Sequence, residues 1–213
     1  MSIRSKLLAA LIGASFASSA LASVTYSTGL DANHDGKDDQ FTVNGATAYL
    51  VTSTAAGWPV LPNSAITSGK YISWDPVQSG RNANTLKDQT YKYAFQFNWS
   101  GAALTTGLDF RWVSDDYLTD ILLNGVSLGV NNLGASEVWK ISNSASVTGQ
   151  VVGGLNTLQF VVNNTGGGAT GLAADFTVNG DATLVHVPEP GSFMLVGLGL
   201  ALIPALRKRS TAK

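Results

Sequence analysis

Between positions 91 and 99 every odd residue is aromatic (Tyr91, Tyr93, Phe95, Phe97, Trp99) and every even one is polar or small. Successive side chains of a β-strand point to opposite faces, so this run predicts a strand with one wholly aromatic face. The alternation returns at 108–112, Leu-Asp-Phe-Arg-Trp. Apolar runs at 118–123 and 126–130 flank Asn124-Gly125, a dipeptide suited to the type I′ hairpin because both of its central residues need positive φ. Runs at 155–162 and 172–178 enclose Thr165-Gly166-Gly167-Gly168, and weaker ones lie at 24–27, 41–51, 71–74 and 182–187. No stretch from 23 to 187 carries a helical period of useful length. Roughly nine strands separated by turn residues predict an all-β domain, a two-sheet antiparallel sandwich or barrel.

The ends have a different pattern. Arg4 and Lys6 precede an apolar run at 7–16, and Ala20-Leu21-Ala22 places small residues at the −3 and −1 positions of a signal-peptidase site. Residues 1–22 therefore read as a secretory signal peptide cut before Ser23, with passage through the Sec translocon; the run is short and Ala/Ser-rich for an uncleaved anchor. At the other end Pro188-Glu189-Pro190 opens a sixteen-residue uncharged segment, 191–206, closed by Arg207-Lys208-Arg209. As a helix it would span about 24 Å, against a hydrocarbon core of about 30 Å. That is adequate for a transient transmembrane helix with its basic end in the cytoplasm; a plain tail anchor is the alternative.

Val187-Pro188-Glu189-Pro190, the glycine-punctuated apolar segment and the basic cluster resemble the PEP-CTERM sorting signal, here 188–213. The resemblance implies recognition by an exosortase, a membrane-embedded transpeptidase-like enzyme, and cleavage near Pro-Glu-Pro. The product would then reside at the cell surface or in the extracellular matrix of a bacterium with an outer membrane. Within 23–187 a second resemblance runs from about Tyr91 to Thr177: Asp115-Asp116-Tyr117, the Asn124-Gly125 hairpin, Gly154-Leu155-Asn156-Thr157-Leu158-Gln159-Phe160, then Gly171 to Phe176. That order is similar to galactose-binding-like jelly rolls and carbohydrate-binding modules, many of which bind sugars.

Charge sharpens this division. Only 13% of residues are charged and the formal net charge is −1, against a usual charged share of about 25%. Six of the 13 basic residues and one of the 14 acidic ones lie in the two ends, which leaves 7 basic and 13 acidic residues, net −6, in the middle. An acidic domain has no charge with which to track a phosphate backbone, so nucleic acid is not an expected partner. With no Cys and two His, disulfides, thiolate zinc sites, a Cys nucleophile and a three-His metal centre are excluded.

Four of those acids fall within Asp31-Ala32-Asn33-His34-Asp35-Gly36-Lys37-Asp38-Asp39. Asp31, Asn33 and Asp35 alternate as in the first half of an EF-hand-like calcium loop, Gly36 permits the turn, the Lys37 carbonyl could follow, and Asp39 occupies the ninth position. Thr42 stands where the bidentate Glu belongs. The loop is thus either an isolated structural Ca²⁺ site or a solvated acidic turn, with His34 as a loop residue.

Trp58 (before Pro59), Trp74 (before Asp75-Pro76) and Trp139 are the candidates for exposed sugar-stacking indoles, whereas Trp99 and Trp112 belong to strand faces that predict core. Asp115, Asp116 and Asp120 could suggest glycoside hydrolysis, but neighbours on a strand point oppositely, so strand capping or a structural cation is the expected role. No Gly-x-Ser-x-Gly elbow is present, and no enzyme is expected. The sequence therefore predicts an exported, exosortase-processed, non-catalytic surface protein that binds carbohydrate such as exopolysaccharide. The alternatives are a structural or adhesive matrix protein of a biofilm or floc and, third, a secreted hydrolase. Its membrane contact is expected only through the C-terminal helix before processing.

Overall fold

The computed structural model describes residues 23–62, 66–80, 88–180 and 182–184. The signal segment 1–22 and the tail 188–213, with Ala20, Ala22, Pro188, Glu189, Pro190, Arg207, Lys208 and Arg209, lie outside the described residues. So does the expected helix 191–206.

Twelve strands and no helix make up the described residues. They are β1 (Ser23–Ser27), β2 (Lys37–Val43), β3 (Ala46–Leu50), β4 (Ile72–Ser73), β5 (Gln89–Trp99), β6 (Leu104–Asp115), β7 (Tyr117–Leu123), β8 (Val126–Ser127), β9 (Asn143–Val151), β10 (Gly154–Asn164), β11 (Gly171–Asn179) and β12 (Ala182–Leu184). Every strand pair is antiparallel. One layer has the order β8-β7-β10-β5-β2, and the other β4-β11-β6-β9, with β1 sharing the flank of β11 and β12 that of β5. β3 pairs with both β2 and β4, so the ladder continues round one edge and joins the layers. This is the expected antiparallel β-sandwich.

The aromatic face of β5 supplies half of the core. All five of its aromatic residues are buried, while Lys92, Gln96 and Asn98 are exposed. Across the layers Phe95 meets Phe176 of β11 edge-on at 5.0 Å, and Phe110 of β6 meets Phe160 of β10 at 5.9 Å. Edge-to-face contacts at these separations add to the gain from burial. Trp99 and Trp112 are core residues, as expected.

Three elements differ from the sequence reading. The run 41–51 is a hairpin, β2 and β3, turned at Asn44-Gly45 with φ of 50° and 83°, a second Asn-Gly turn of the same chemistry as 124–125. β9 was not expected at all. Its sequence NSASVTGQV is poor in large apolar residues, and it sits at the edge of its layer, paired only with β6. The strand expected at 126–130 is reduced to two residues.

Candidate functional site

Along β6 and β11 the odd positions point away from the core. On β6 these are Asp109, Arg111, Val113 and Asp115; on β11 they are Gly171, Ala173, Asp175 and Thr177. The cross-strand register sets Arg111 beside Asp175 and Asp109 beside Thr177. On the other side of β6, β9 adds Ser144 beside Arg111 and Ser146 beside Asp109. Residues 51–62 and 66–71 lie over this outer face and cover its upper half. There Trp58, Ile66, Tyr71, Val113 and Ala173 form a second apolar cluster, separate from the main core.

The lower half stays open as a groove of about 450 Å³, lined by Thr25, Thr67, Asp109, Arg111, Ser144, Ser146, Asp175 and Thr177 among others. Within it Ser146 Oγ donates to Asp109 Oδ1 at 2.5 Å, and the Thr25 and Thr177 hydroxyls lie 2.9 Å apart. Asp175 sets the boundary between the two halves. Its Oδ2 accepts from Thr67 N–H (2.5 Å), the Thr67 hydroxyl (3.0 Å) and Ser68 N–H (3.3 Å), and its Oδ1 accepts from Gly69 N–H (2.9 Å). One buried carboxylate thus satisfies three backbone donors and fixes the wall of the groove.

At the covered end Asp115 lies under Trp58, whose indole N–H donates to Asp115 Oδ2 at 2.7 Å. The ring packs on Tyr71 at a centroid distance of 4.4 Å and over Gly171, where a Cβ would stand 2.6 Å from the Trp58 ring edge. Burial pushes the Asp115 carboxyl up to about 8, and the adjacent Asp116 carboxyl adds to the rise while the Trp58 N–H opposes it. Asp116 stands in the turn between β6 and β7; its Oδ2 accepts from the Thr165 hydroxyl at 3.1 Å and Gly166 N–H at 2.8 Å. The peptide Asp115–Asp116 is cis. The expectation that these carboxyls point apart is corrected by their interaction: Asp116 stands outside the β6 and β7 ladders, and the two side chains meet. Tyr71, buried beside Asp115, is also raised, by burial first and then by that carboxylate.

The three Trp proposed as exposed platforms are not exposed. Trp58 is 9% accessible, because Gly171 leaves room for the indole and Asp115 accepts a hydrogen bond from its N–H. Trp74 is half-buried against the main core, and Trp139 half-buried against the second cluster, its Nε1 near Gly57. A loop position before proline says nothing about such long-range partners.

The Asp31–Asp39 loop is closed by its own acceptors. Asp31 takes Asp35 N–H (2.9 Å) and Gly36 N–H (3.2 Å), Asn33 takes Asp35 N–H (3.1 Å), Asp35 takes Lys37 N–H (2.9 Å), and Asp39 takes Ala32 N–H (2.7 Å). Lys37 opens β2, with its ammonium 3.7 Å from Asp35 Oδ2. Asp38, passed over in the sequence, is the buried acid here. It accepts from the N–H groups of Gly29, Gln40 and Phe41, and burial raises it against those bonds. Among the described residues no group of three or more His, Cys, Asp or Glu side chains is placed to hold a metal ion.

The tail decides what kind of protein carries this domain. Residues 186–209 match the PEP-CTERM protein-sorting motif. The match begins two residues before the expected boundary and includes none of the sandwich. The PEP-CTERM tail marks the chain for export and sorting to a surface or extracellular location. A search of curated proteins finds no match. Among solved structures the chain is similar to a CBM35 from Cellvibrio japonicus Abf62 (13% identity, TM-score 0.43, covering 76% of this chain and 97% of that one). It is also similar to a family 35 carbohydrate binding module from Clostridium thermocellum (15%, 0.40, 73% and 97%) and to Xyl-CBM35 in complex with a glucuronic acid-containing disaccharide (15%, 0.42, 76% and 96%).

Proposed function

We propose that this is a non-catalytic surface module that binds glycan, such as exopolysaccharide, in the open groove on the outer face of β1, β11, β6 and β9. The observation that carries the reading is the lining of that groove. A guanidinium, carboxylates and four or more hydroxyls share one face, and side chains two apart on a strand stand about 7 Å from each other, a spacing that suits successive hydroxyl pairs of a sugar chain. Arg111 and Asp109 would make the charge-assisted bonds, and Ser144, Ser146, Thr25 and Thr177 the neutral ones. The stacking indoles expected from the sequence have no part in it. The test is a glycan array and affinity gels with wild type, Asp109→Ala and Arg111→Ala. Binding lost in both variants at unchanged melting supports the groove; no binding by wild type to any glycan sinks the reading.

The same reading has an exosortase remove the PEP-CTERM tail near Pro188-Glu189-Pro190, after signal-peptidase cleavage following Ala22. Intact mass of the exported protein should then run from Ser23 to near residue 190, and a product retaining Arg207 to Lys213 contradicts it. Calcium belongs to this reading as a structural ion at Asp31, Asn33, Asp35, the Lys37 carbonyl and Asp39, hard oxygen donors of the type that ion prefers; to take it, these side chains would have to exchange the loop N–H groups that they now accept.

A further inference from the structure

The ladder that runs from β8 round through β3 to β9 has two ends, and both lie on one flank of the sandwich. A Cβ on Gly149 of β9 would stand 2.8 Å from the Leu123 side chain of β7 and 3.2 Å from that of Leu128, so the edge of one layer lies over the edge of the other. Asn156, fully buried, accepts from the Asn124 amide (2.8 Å) and Val152 N–H (2.9 Å) and donates to the carbonyls of Val152 (2.9 Å) and Gly154 (3.0 Å), which ties the β7–β8 turn to the β9–β10 turn. The two edges are built differently. β8 has two residues, too few to template a further strand. β9 has nine, NSASVTGQV, with no Asp, Glu, Lys, Arg or Pro and no shift in its register with β6. Among the described residues it pairs only with β6, so alternate N–H and C=O groups face outward along a regular edge. Natural edges are blunted by lysine, proline, a bulge or shortness, and β9 carries none of these. The core is also open beneath it. Ala145 and Val147 are packed against the core yet only half-buried, and Val126, opposite core-facing Leu123, is 68% exposed.

The sequence of β9 says what completes this edge. Its nine residues overlap fully with a second copy in antiparallel pairing when Val147 lies on the two-fold axis. Ser146 then stands opposite Thr148 of the other copy, Ser144 opposite Gln150, and Ala145 opposite Gly149. Core-facing positions meet core-facing ones, and the outer pairs are short hydroxyls and an amide, which suit cross-strand contact. Charge does not oppose the approach of two domains of net −6 along this line. Asp109 lies one strand inward, bonded to Ser146 at 2.5 Å. Its two copies would stand three strand spacings, about 14 Å, apart, beyond a Debye length of about 8 Å at physiological salt. Glu137 and Lys140, just before β9, are paired with each other at 2.6 Å. We propose that β9 is a self-association edge, through which two copies of the chain pair β9 to β9 about Val147. The contact is isologous and closed. It covers Ala145 and Val147, joins the β4-β11-β6-β9 layers into one sheet, and sets the two outer grooves side by side on one face. It does not depend on what those grooves hold.

The absence of native cysteine lets oxidative cross-linking read the pairing in the full chain, at the surface of the cells that export it. Ser146→Cys and Thr148→Cys are co-expressed, since the proposed register sets them opposite each other. Gln150→Cys alone is the register control, its two copies six strand positions, about 20 Å, apart. Gln96→Cys, on the other layer, controls for collision. All four side chains are exposed, so melting should match wild type. The expected result is a disulfide-linked dimer from the mixed pair and none from either control. No dimer from the mixed pair overturns the proposal. An equal dimer from Gln96→Cys shows random encounter, and one from Gln150→Cys a different register; each overturns it too. Sedimentation of the wild-type full chain in mild detergent gives a second reading. A dimer that grows with concentration and is weakened by Thr148→Lys is expected; a monomer at every concentration, or a dimer indifferent to Thr148→Lys, contradicts the β9 edge.

Discussion

Replacing Asp115 with Asn removes a group whose proton is held far more tightly in the folded than in the unfolded chain. Its carboxyl rises from an ordinary value of 3.8 to about 8, so the unfolded state ionises first. The stability it contributes is full below pH 3.8, falls steadily between pH 3.8 and pH 8, and is constant above. Each unit in that window costs about 1.4 kcal/mol, so from pH 5 to pH 8 wild type should lose about 4 kcal/mol relative to Asp115→Asn. This is an upper figure, since water entering beside Trp58 would relieve part of the penalty. For a domain of this size it corresponds to a relative melting shift on the order of 10 °C. An Asn carbonyl can still accept the Trp58 N–H, so the hydrogen bond need not be lost. Urea unfolding of both proteins at pH 5, 6, 7 and 8 measures the difference directly. Curves that stay parallel across that range would refute the argument that burial and Asp116 keep Asp115 protonated.

Three other expectations concern the Trp58 packing, the Asn156 turns and the acidic loop. Gly171→Ala puts a methyl 2.6 Å from the Trp58 ring and 3.3 Å from the Ile72 carbonyl oxygen; overpacking of this kind costs about 1–3 kcal/mol, and near-ultraviolet dichroism should show the indole displaced. Asn156→Ala leaves two donors and two acceptors at the β7–β8 and β9–β10 turns without partners; denaturant unfolding should show a loss of about 2–4 kcal/mol. Saturating calcium should raise the melting temperature, and Asp31→Ala with Asp35→Ala should remove that rise; equal melting in calcium and in EDTA contradicts an ion at the loop.

The sandwich was readable because its strands obey the rule of alternation. β5 exposes its period in five aromatic residues, and the polar Asp109 and Arg111 between Leu108, Phe110 and Trp112 are legible as outward-facing. What completes the groove was not legible. β9 is an edge strand of Ser, Thr and Gly whose pairing with β6, not its composition, makes it a strand, so the partnership of Ser144 and Ser146 with Arg111 and Asp109 was hidden. Trp58 misled for a related reason. Its surroundings in sequence are loop-like, while its burial depends on Asp115 and Gly171, 57 and 113 positions away. The PEP-CTERM tail, by contrast, is read from a linear motif and needs no fold to be seen.

The central claim is that Asp109 and Arg111 form a glycan-binding face on an exported domain. Affinity electrophoresis through gels containing the producing cell's own exopolysaccharide tests it most directly, with wild type and Arg111→Ala matched for melting temperature. The account predicts retardation of wild type and free migration of Arg111→Ala. Equal retardation of the two would place the binding elsewhere and contradict it.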